Sequence, residues 1–494
     1  MGFKWDILVI AIVYVLLVSV GIGVYLARRQ LGRTGESFLF ADKSLGPWLG
    51  GITIALAGIG SLHTVGLMES GGTLGLVALW FSVAAGVVKA VSGAFLAPFY
   101  RRLGANTVPQ IIGELFDGRS RVVASLIGLF IAWGILSLET QGGGVVLAGI
   151  TGVDVRLALF LFLVCAASYM LISGMWQVAY LNFINTILTY AVIVLGFILV
   201  SARLPQGWAG VEATYLAKGA STMLSFWPAD PMLLLGFAFA IVIAVVCSDS
   251  IDQGMMQYAL SAQDTRSARN AFFISILFNV PFAFFTISFG LAAMALPEFA
   301  GYGPKSAGVA MLLTYLPTLV AGILLAAFLV IVLSTWARFS MGISQILIND
   351  FYLRFSRRED KESLIPWLGR LLIIVPGVAT LIPAYFLPHI LLTGLFVFAL
   401  AIPMFVMMVI GLFWKRTPQA AFWTMLPTLV LSFVWQYTGL PKALGAPEWF
   451  GVPYFSLIVS LILGVGLTLA LPGERGRFAR GHRAAGSSLS SGLS

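Results

Sequence analysis

Charge is scarce in this chain. Asp, Glu, Lys and Arg make up 10% of its 494 residues, where soluble domains carry about a quarter. Cysteine and histidine are nearly absent, at 2 and 3 residues. Cys165 and Cys247 both fall in apolar runs, and there is no CxxC or His-rich spacing, which leaves no basis for a disulfide framework or a zinc site. No polar stretch is long enough for a soluble domain, which argues against a fused receptor or sensor. No nucleophile–base pairing or metal cluster stands in the apolar runs, so an enzyme reading has no support. With 59% apolar residues, the chain reads as an all-α, multi-pass protein of the cell membrane, with the lipid bilayer as its solvent.

The apolar runs predict thirteen spans, at 7–27, 47–68, 74–99, 120–149, 155–174, 177–201, 232–258, 269–296, 318–350, 365–387, 389–413, 419–438 and 453–471, with twelve or fourteen as neighbouring counts. Ile7–Ala27 is too long for a signal-peptide core and lacks a small-residue cleavage site, so it reads as a retained span. With the N-terminus outside, 21 of the 29 Lys and Arg fall in inner segments, 6 fall outside, and Lys89 and Arg338 lie within spans. The positive-inside rule favours that orientation. The net charge of +9 is then a topology signal with weak attraction to anionic lipid, and nucleic acid is excluded as a partner. Segments 202–231 and 297–317, carrying Pro205, Pro228, Pro297 and Pro304, predict ordered outer caps. The Gly-, Ser- and Arg-rich tail from Gly473 predicts a disordered basic segment on the cytoplasmic side.

One stretch departs from an ordinary span. Residues 47–75 carry Gly50, Gly51, Gly58, Gly60 and Gly66 around Ser61, His63 and Thr64. Such a cluster predicts either a helix interrupted at mid-membrane, whose freed carbonyls can bind a cation or solute, or a small-residue packing face. Ionisable groups at membrane depth are functional candidates by default; here they are Lys89, Glu139, Asp249, Asp252 and Arg338. Lys89 and Glu139 are matched in depth and predict an ion pair. Asp249 and Asp252, three apart with Ser248 and Ser250 between and beside them, predict a shared, hydrated helix face. Arg338 follows Ser334 by one helical turn, and the adjacent hydroxyls of Ser334 and Thr335 offer oxygen ligands to a hard cation. Asp249 or Asp252 could instead neutralise Arg338. Trp80, Phe81 and Trp336 either stack on a solute ring or face lipid.

Six segments, in order, carry a resemblance: ADKSLGPW at 41–48, YRRLGANTVPQ at 100–110, SGMWQVAYLNFIN at 173–185, DQGMMQYALSAQD at 252–264, LSTWARFSMGISQILINDFY at 333–352 and PMFVMMVIGLFWKR at 403–416. Together they resemble the sodium/solute symporter family, which includes sodium/proline and sodium/galactose transporters. The resemblance implies a LeuT-like inverted repeat of five plus five helices. Residues 1–46 would form an extra span and inner loop, 47–201 the first repeat, 202–231 an outer loop, 232–413 the second repeat, 414–472 two further spans and 473–494 the tail. It also implies a sodium site made by the Ser334 and Thr335 side chains with the carbonyls of Leu56, Ile59 and Ile331. A solute site would lie beside it, near Gly58, His63, Ser82, Gln141, Ser248, Asp249 and Asp252. Two positions depart from the family pattern. Asn182 stands where many members have an aspartate, and Arg338 where a hydroxyl often follows the Ser-Thr pair. Together these shift the local charge by two units toward positive, which argues against a second sodium.

The expected function is sodium-coupled symport of a small polar organic solute by alternating access, with one sodium and no obligatory protein partner evident. Lys89, Glu139, Asn182 and Arg338 are expected to form a coupling network of charged and polar groups. The alternatives are a proton-coupled or cation-independent transporter or exchanger, in which Arg338 replaces sodium and His63 or Asp249 and Asp252 carry protons, and a transporter-like sensor.

Overall fold

The structure is a computed structural model that describes residues 5–29, 31, 34–103, 105–170, 174–356, 364–387 and 389–478. It is a bundle of helices, and helices occupy the core of every predicted span. Among the described residues nine are long and apolar enough to cross a membrane, or ten when one bent pair is counted as a span. We number the principal helices α1 (Trp5–Arg28), α2 (Pro47–Ala57), α3 (Leu62–Thr73), α4 (Gly75–Arg101), α5 (Gly118–Thr151), α6 (Val155–Met170), α7 (Gly174–Arg203) and α8 (Pro231–Ser250). These are followed by α9 (Gln253–Ser261), α10 (Thr265–Ala295), α11 (Thr318–Phe355), α12 (Ile365–Phe386), α13 (Ile390–Phe413), α14 (Pro418–Tyr437) and α15 (Val452–Ala470).

Local chemistry sets the helix ends. The carboxylates of Asp117 and Asp264 accept the Ser120 and Ser267 N–H groups, each at 2.7 Å, at the starts of α5 and α10, satisfying donors a helix start leaves free. Pro47 and Pro231 occupy first-turn positions, where the missing N–H costs nothing. Gly152 ends α5 at φ 65°, a conformation that glycine adopts without penalty.

The core lies along α11 and α13, whose most apolar stretches are 78% and 83% buried, against 22% for α12. α11 packs on α5, α1 and α7, while α2 and α3 lie along the first and second halves of α10. That second contact is close: a Cβ at Gly290 would sit 1.8 Å from the Met68 carbonyl oxygen.

Two interruptions shape the bundle, each in the first span of one expected five-helix stretch. α2 and α3 meet at a 57° bend. The second interruption lies between α8 and α9, where Ile251 leaves helical geometry and Asp252 caps α9 by accepting the Met255 N–H at 2.7 Å. This corrects the expected shared face of Asp249 and Asp252. Asp249 belongs to the last turn of α8, but Asp252 lies beyond the helix end and starts the next one.

The two segments expected on the outside, 202–231 and 297–317, are folded into short helices. Helix Gly207–Ala217 is anchored by the Tyr215 hydroxyl on the Leu291 carbonyl at 2.9 Å, and Phe226 stacks on Trp80 at 5.1 Å. The start of the tail is not disordered. Lys415–Arg416 pairs antiparallel with Glu474–Arg475, and Arg416 contacts Glu474 at 2.5 Å. Residues 479–494, also assigned to the tail, lie outside the described residues.

Candidate functional site

The first break is built by glycine and finished by its neighbours. Gly60 adopts φ +56°, and a Cβ there would lie 2.6 Å from Glu139 Oε1 and 2.9 Å from Thr335 Oγ1. Only a residue without a side chain lets those two oxygens approach the backbone together. The Thr335 hydroxyl donates to the Ala57 carbonyl at 2.9 Å, taking up an oxygen that the helix end releases. On the other side of the break, the Ser61 N–H donates to Glu139 Oε2 at 2.7 Å. α5 and α11 thus hold the two ends of the interrupted helix.

Of the expected sodium ligands, Thr335 reaches the break from α11, and Ser334 precedes it on the same helix. Ser334 is fully buried, and its hydroxyl has no hydrogen-bond partner. The Leu56 carbonyl accepts the Ile59 N–H at 3.1 Å. The Ile59 carbonyl is taken twice, by the His63 N–H at 3.2 Å and by His63 Nδ1 at 2.6 Å. Ile331 is buried on α11 one turn before Thr335. Hydroxyl and carbonyl oxygens of this kind suit a hard monovalent cation, and among them the Ser334 hydroxyl is unpaired.

Beside the break is a cavity of about 20 Å³, lined among others by Gly58, His63, Phe81, Glu139, Asp249, Thr335 and Arg338. A water needs about 10–15 Å³ of such space, so the site is closed around room for one or two waters. His63 packs its ring on Phe81 at 4.6 Å, and its Nε2 is buried without a partner. Because the carbonyl of Ile59 fixes the proton on Nδ1, Nε2 is left as an acceptor.

The charges pair differently from the expected Lys89–Glu139 bridge. Among the described residues no ion pair joins those two side chains. Lys89 reaches Asn279 Oδ1 at 3.3 Å and the Ala85 carbonyl at 3.5 Å, with its stem against Gly58. Both helices approach the same break, but on different sides of it. Arg338 pairs with Asp252 at 2.6 Å and lies over the Phe339 ring at 4.1 Å. Of the two proposed partners, Asp252 neutralises it. Asn182 donates to the Thr53 carbonyl at 3.2 Å, against α2.

Four expected solute residues do not line the central cavity. Ser82 is buried with its hydroxyl unpaired, but it stands apart from the lining. Ser248 and Asp252 line a second cavity of about 20 Å³, together with Gln253, Gly254, Phe339 and Gly342. Gln141 donates to the Leu387 carbonyl at 2.6 Å, a carbonyl that Lys305 also reaches at 3.1 Å. This belongs to a closing contact at the start of α13, where buried Glu69 binds His389 Nδ1 at 2.8 Å and the Ile390 N–H at 3.3 Å. The aromatic candidates divide: Phe81 faces the cavity, Trp80 stacks on the loop residue Phe226, and Trp336 packs where a Gly377 Cβ would be. At the other end, Gln257 donates to the Leu39 carbonyl at 2.8 Å, Gln253 to Gln345 at 2.7 Å, and Arg121 pairs with Asp350 at 2.6 Å. Sequence reasoning passed over Glu69, His389 and Asn279, whose partners are more than 180 residues away in the chain. The only available signal was a polar residue within an apolar run.

Comparison with known proteins agrees with this architecture. A sequence profile described as "Sodium:solute symporter family" matches residues 38–427. The sodium/glucose cotransporter 2 of Rattus norvegicus is 29% identical over 228 residues, which cover 45% of this chain and 33% of the relative. A sodium/sialic acid symporter of Proteus mirabilis is 22% identical over 377 residues, covering 74% of this chain and 75% of the relative. The match spans 27–33% of the length of the mammalian relatives. The solved substrate-bound, outward-open structure of a Na+-coupled sialic acid symporter superposes with a TM-score of 0.80 at 19% identity, over 96% of this chain and 99% of the other. The chain has the LeuT fold, is a multi-pass membrane protein, and belongs to the sodium:solute symporter family.

Proposed function

We propose, from this membership and from the first break, that the chain is a sodium-coupled symporter of a small polar organic solute in the cell membrane. The observation that carries the reading is the unpaired, fully buried Ser334 hydroxyl beside a helix interrupted at Gly60 and bridged by Thr335. Sodium would be held by Ser334 and Thr335 with the carbonyls of Leu56, Ile59 and Ile331. The names of the relatives concern sugars and sialic acid. A solute rich in hydroxyls or other polar groups suits a cavity lined by His63 and Asp249 and closed by Phe81.

The hydrogen bonds supply a coupling route. The Ile59 carbonyl is saturated by two His63 donors, so a cation that binds it draws on the same oxygen that orients the imidazole. Sodium would loosen His63 Nδ1 from Ile59 and let the ring turn toward a solute hydroxyl. A solute that engages His63 would in turn free the carbonyl for sodium. Binding at one site thereby favours the other, as reciprocal linkage requires. Arg338 is committed to Asp252 on the side of α9, which supports one sodium and gives the guanidinium the role of a fixed cation where a second ion would otherwise sit.

Thermal stability in detergent tests the reading, comparing sodium with potassium and choline at equal ionic strength. A ligand that binds the folded state alone stabilises it by RT ln(1 + [L]/Kd), about 2.7 kcal/mol at a hundredfold excess over Kd. We expect sodium-specific stabilisation that Thr335→Ala removes. Equal stability in all three salts would refute sodium coupling, and an undiminished sodium effect in Thr335→Ala would refute the assigned ligands.

A further inference from the structure

We propose that Glu139 is the charged ligand of the sodium site, supplying the one negative charge that a bound sodium ion neutralises. This rests on the sodium-coupled reading above and extends its ligand set beyond hydroxyl and carbonyl oxygens.

The two breaks make the argument by contrast. At each, a carboxylate accepts an N–H at the start of the second half-helix: Asp252 takes the Met255 N–H, and Glu139 takes the Ser61 N–H, both at 2.7 Å. A negative group is favoured there by the helix dipole. Asp252 also has a cation, Arg338, at 2.6 Å. Glu139 has none. It is fully buried, and its second oxygen, Oε1, has no hydrogen-bond partner. That oxygen is aimed at the break. It approaches the Gly60 Cβ position to 2.6 Å, while Thr335 Oγ1 approaches the same point to 2.9 Å. The unpaired Ser334 hydroxyl belongs to the adjoining residue of α11.

Formal charge around the cavity points the same way. Lys89 and Arg338 contribute two positive groups; Glu139, Asp249 and Asp252 contribute three negative ones. With all five groups ionised one negative charge is left over, and a buried charge without a counter-ion is costly, so that the carboxyl holds either a cation or a proton. One monovalent cation balances it. Structure alone does not require the charge, because capping Ser61 uses a single oxygen that a glutamine carbonyl could equally provide.

Glu139→Gln therefore separates the two roles. In detergent, we expect the variant to fold and to melt in potassium at or above the wild-type temperature, since an unbalanced charge is gone and the cap is kept. Its sodium affinity, read from the concentration dependence of the melting shift, should fall at least about tenfold. Glu139→Asp keeps the charge but withdraws it by one methylene, and should bind sodium selectively yet more weakly than wild type. Sodium affinity in Glu139→Gln within twofold of wild type would overturn the proposal while leaving sodium coupling intact. If Glu139→Gln fails to fold, unchanged affinity in Glu139→Asp overturns it instead. Absence of any sodium effect in the wild-type protein would overturn both this proposal and the reading beneath it.

Discussion

At the scale of single residues, the buried Arg338–Asp252 pair is the sharpest test of how charge is held. Breaking such a pair from one side leaves an uncompensated charge and costs about 3–5 kcal/mol, whereas replacing both members costs far less. Arg338→Ala should therefore lower the melting temperature markedly, and Arg338→Ala with Asp252→Asn should recover much of the loss. A double variant no more stable than the single one would mean that Arg338 acts through its stem, which packs on Gly254, rather than through its charge. Gly60 gives a second test. At φ +56° any side chain pays about 1–2 kcal/mol for a left-handed backbone, and a methyl here also displaces Glu139 Oε1 and Thr335 Oγ1. Gly60→Ala should destabilise the protein and abolish its sodium-dependent shift, measured in the same melting experiment.

At the scale of helices, the first interruption was legible and the second was not. Five glycines between Gly50 and Gly66 offer an interrupted helix as one of two readings, beside a small-residue packing face. Residues 248–253 contain neither glycine nor proline. Their break comes from Asp252 capping α9, a signal that in sequence is indistinguishable from an acidic residue one turn after Asp249. The hydroxyl pair at Ser334 and Thr335 stands out in the sequence as adjacent oxygens on an apolar helix. The partner of Glu139 was not legible, because the Ser61 N–H becomes a free donor only once α2 and α3 have parted. Helix seating also depends on absences that a sequence does not advertise. Gly290 admits the Met68 carbonyl where a Cβ would stand at 1.8 Å, so Gly290→Ala should push α3 off α10. Overpacking of this sort costs about 1–3 kcal/mol. The melting temperature should drop, while Gly466→Ala, with open space around it, should leave it unchanged. Equal melting of both variants would show that α3 and α10 give way without cost.

At the scale of the whole molecule, the contacts close both ends at once. Glu69 with His389 and Gln141 with Leu387 hold one side, and Gln257 with Leu39 and Arg121 with Asp350 hold the other. On the proposed transport function, the cavity of about 20 Å³ between them fits a state between two open ones, and rigid-body rocking would release one set of contacts at a time. The charge count then decides which half of the transport cycle feels the membrane potential. With Glu139 as ligand and ionised throughout, the centre loaded with sodium and a neutral solute carries no net charge, and the empty centre carries one negative charge. An inside-negative potential therefore drives the empty carrier back outward and leaves the loaded carrier indifferent. One charge per cycle is worth about 2.3 kcal/mol per 100 mV, roughly a fifty-fold accumulation of a neutral solute. In vesicles with sodium on both sides, net uptake should rise with an imposed inside-negative potential. Exchange of labelled for unlabelled solute uses the loaded carrier alone and should not change. Voltage-dependent exchange would place the moving charge in the loaded state and contradict neutralisation by Glu139. In Glu139→Gln the asymmetry should reverse: the empty carrier becomes neutral, the loaded one positive, and any residual exchange acquires the voltage dependence that the wild type lacks.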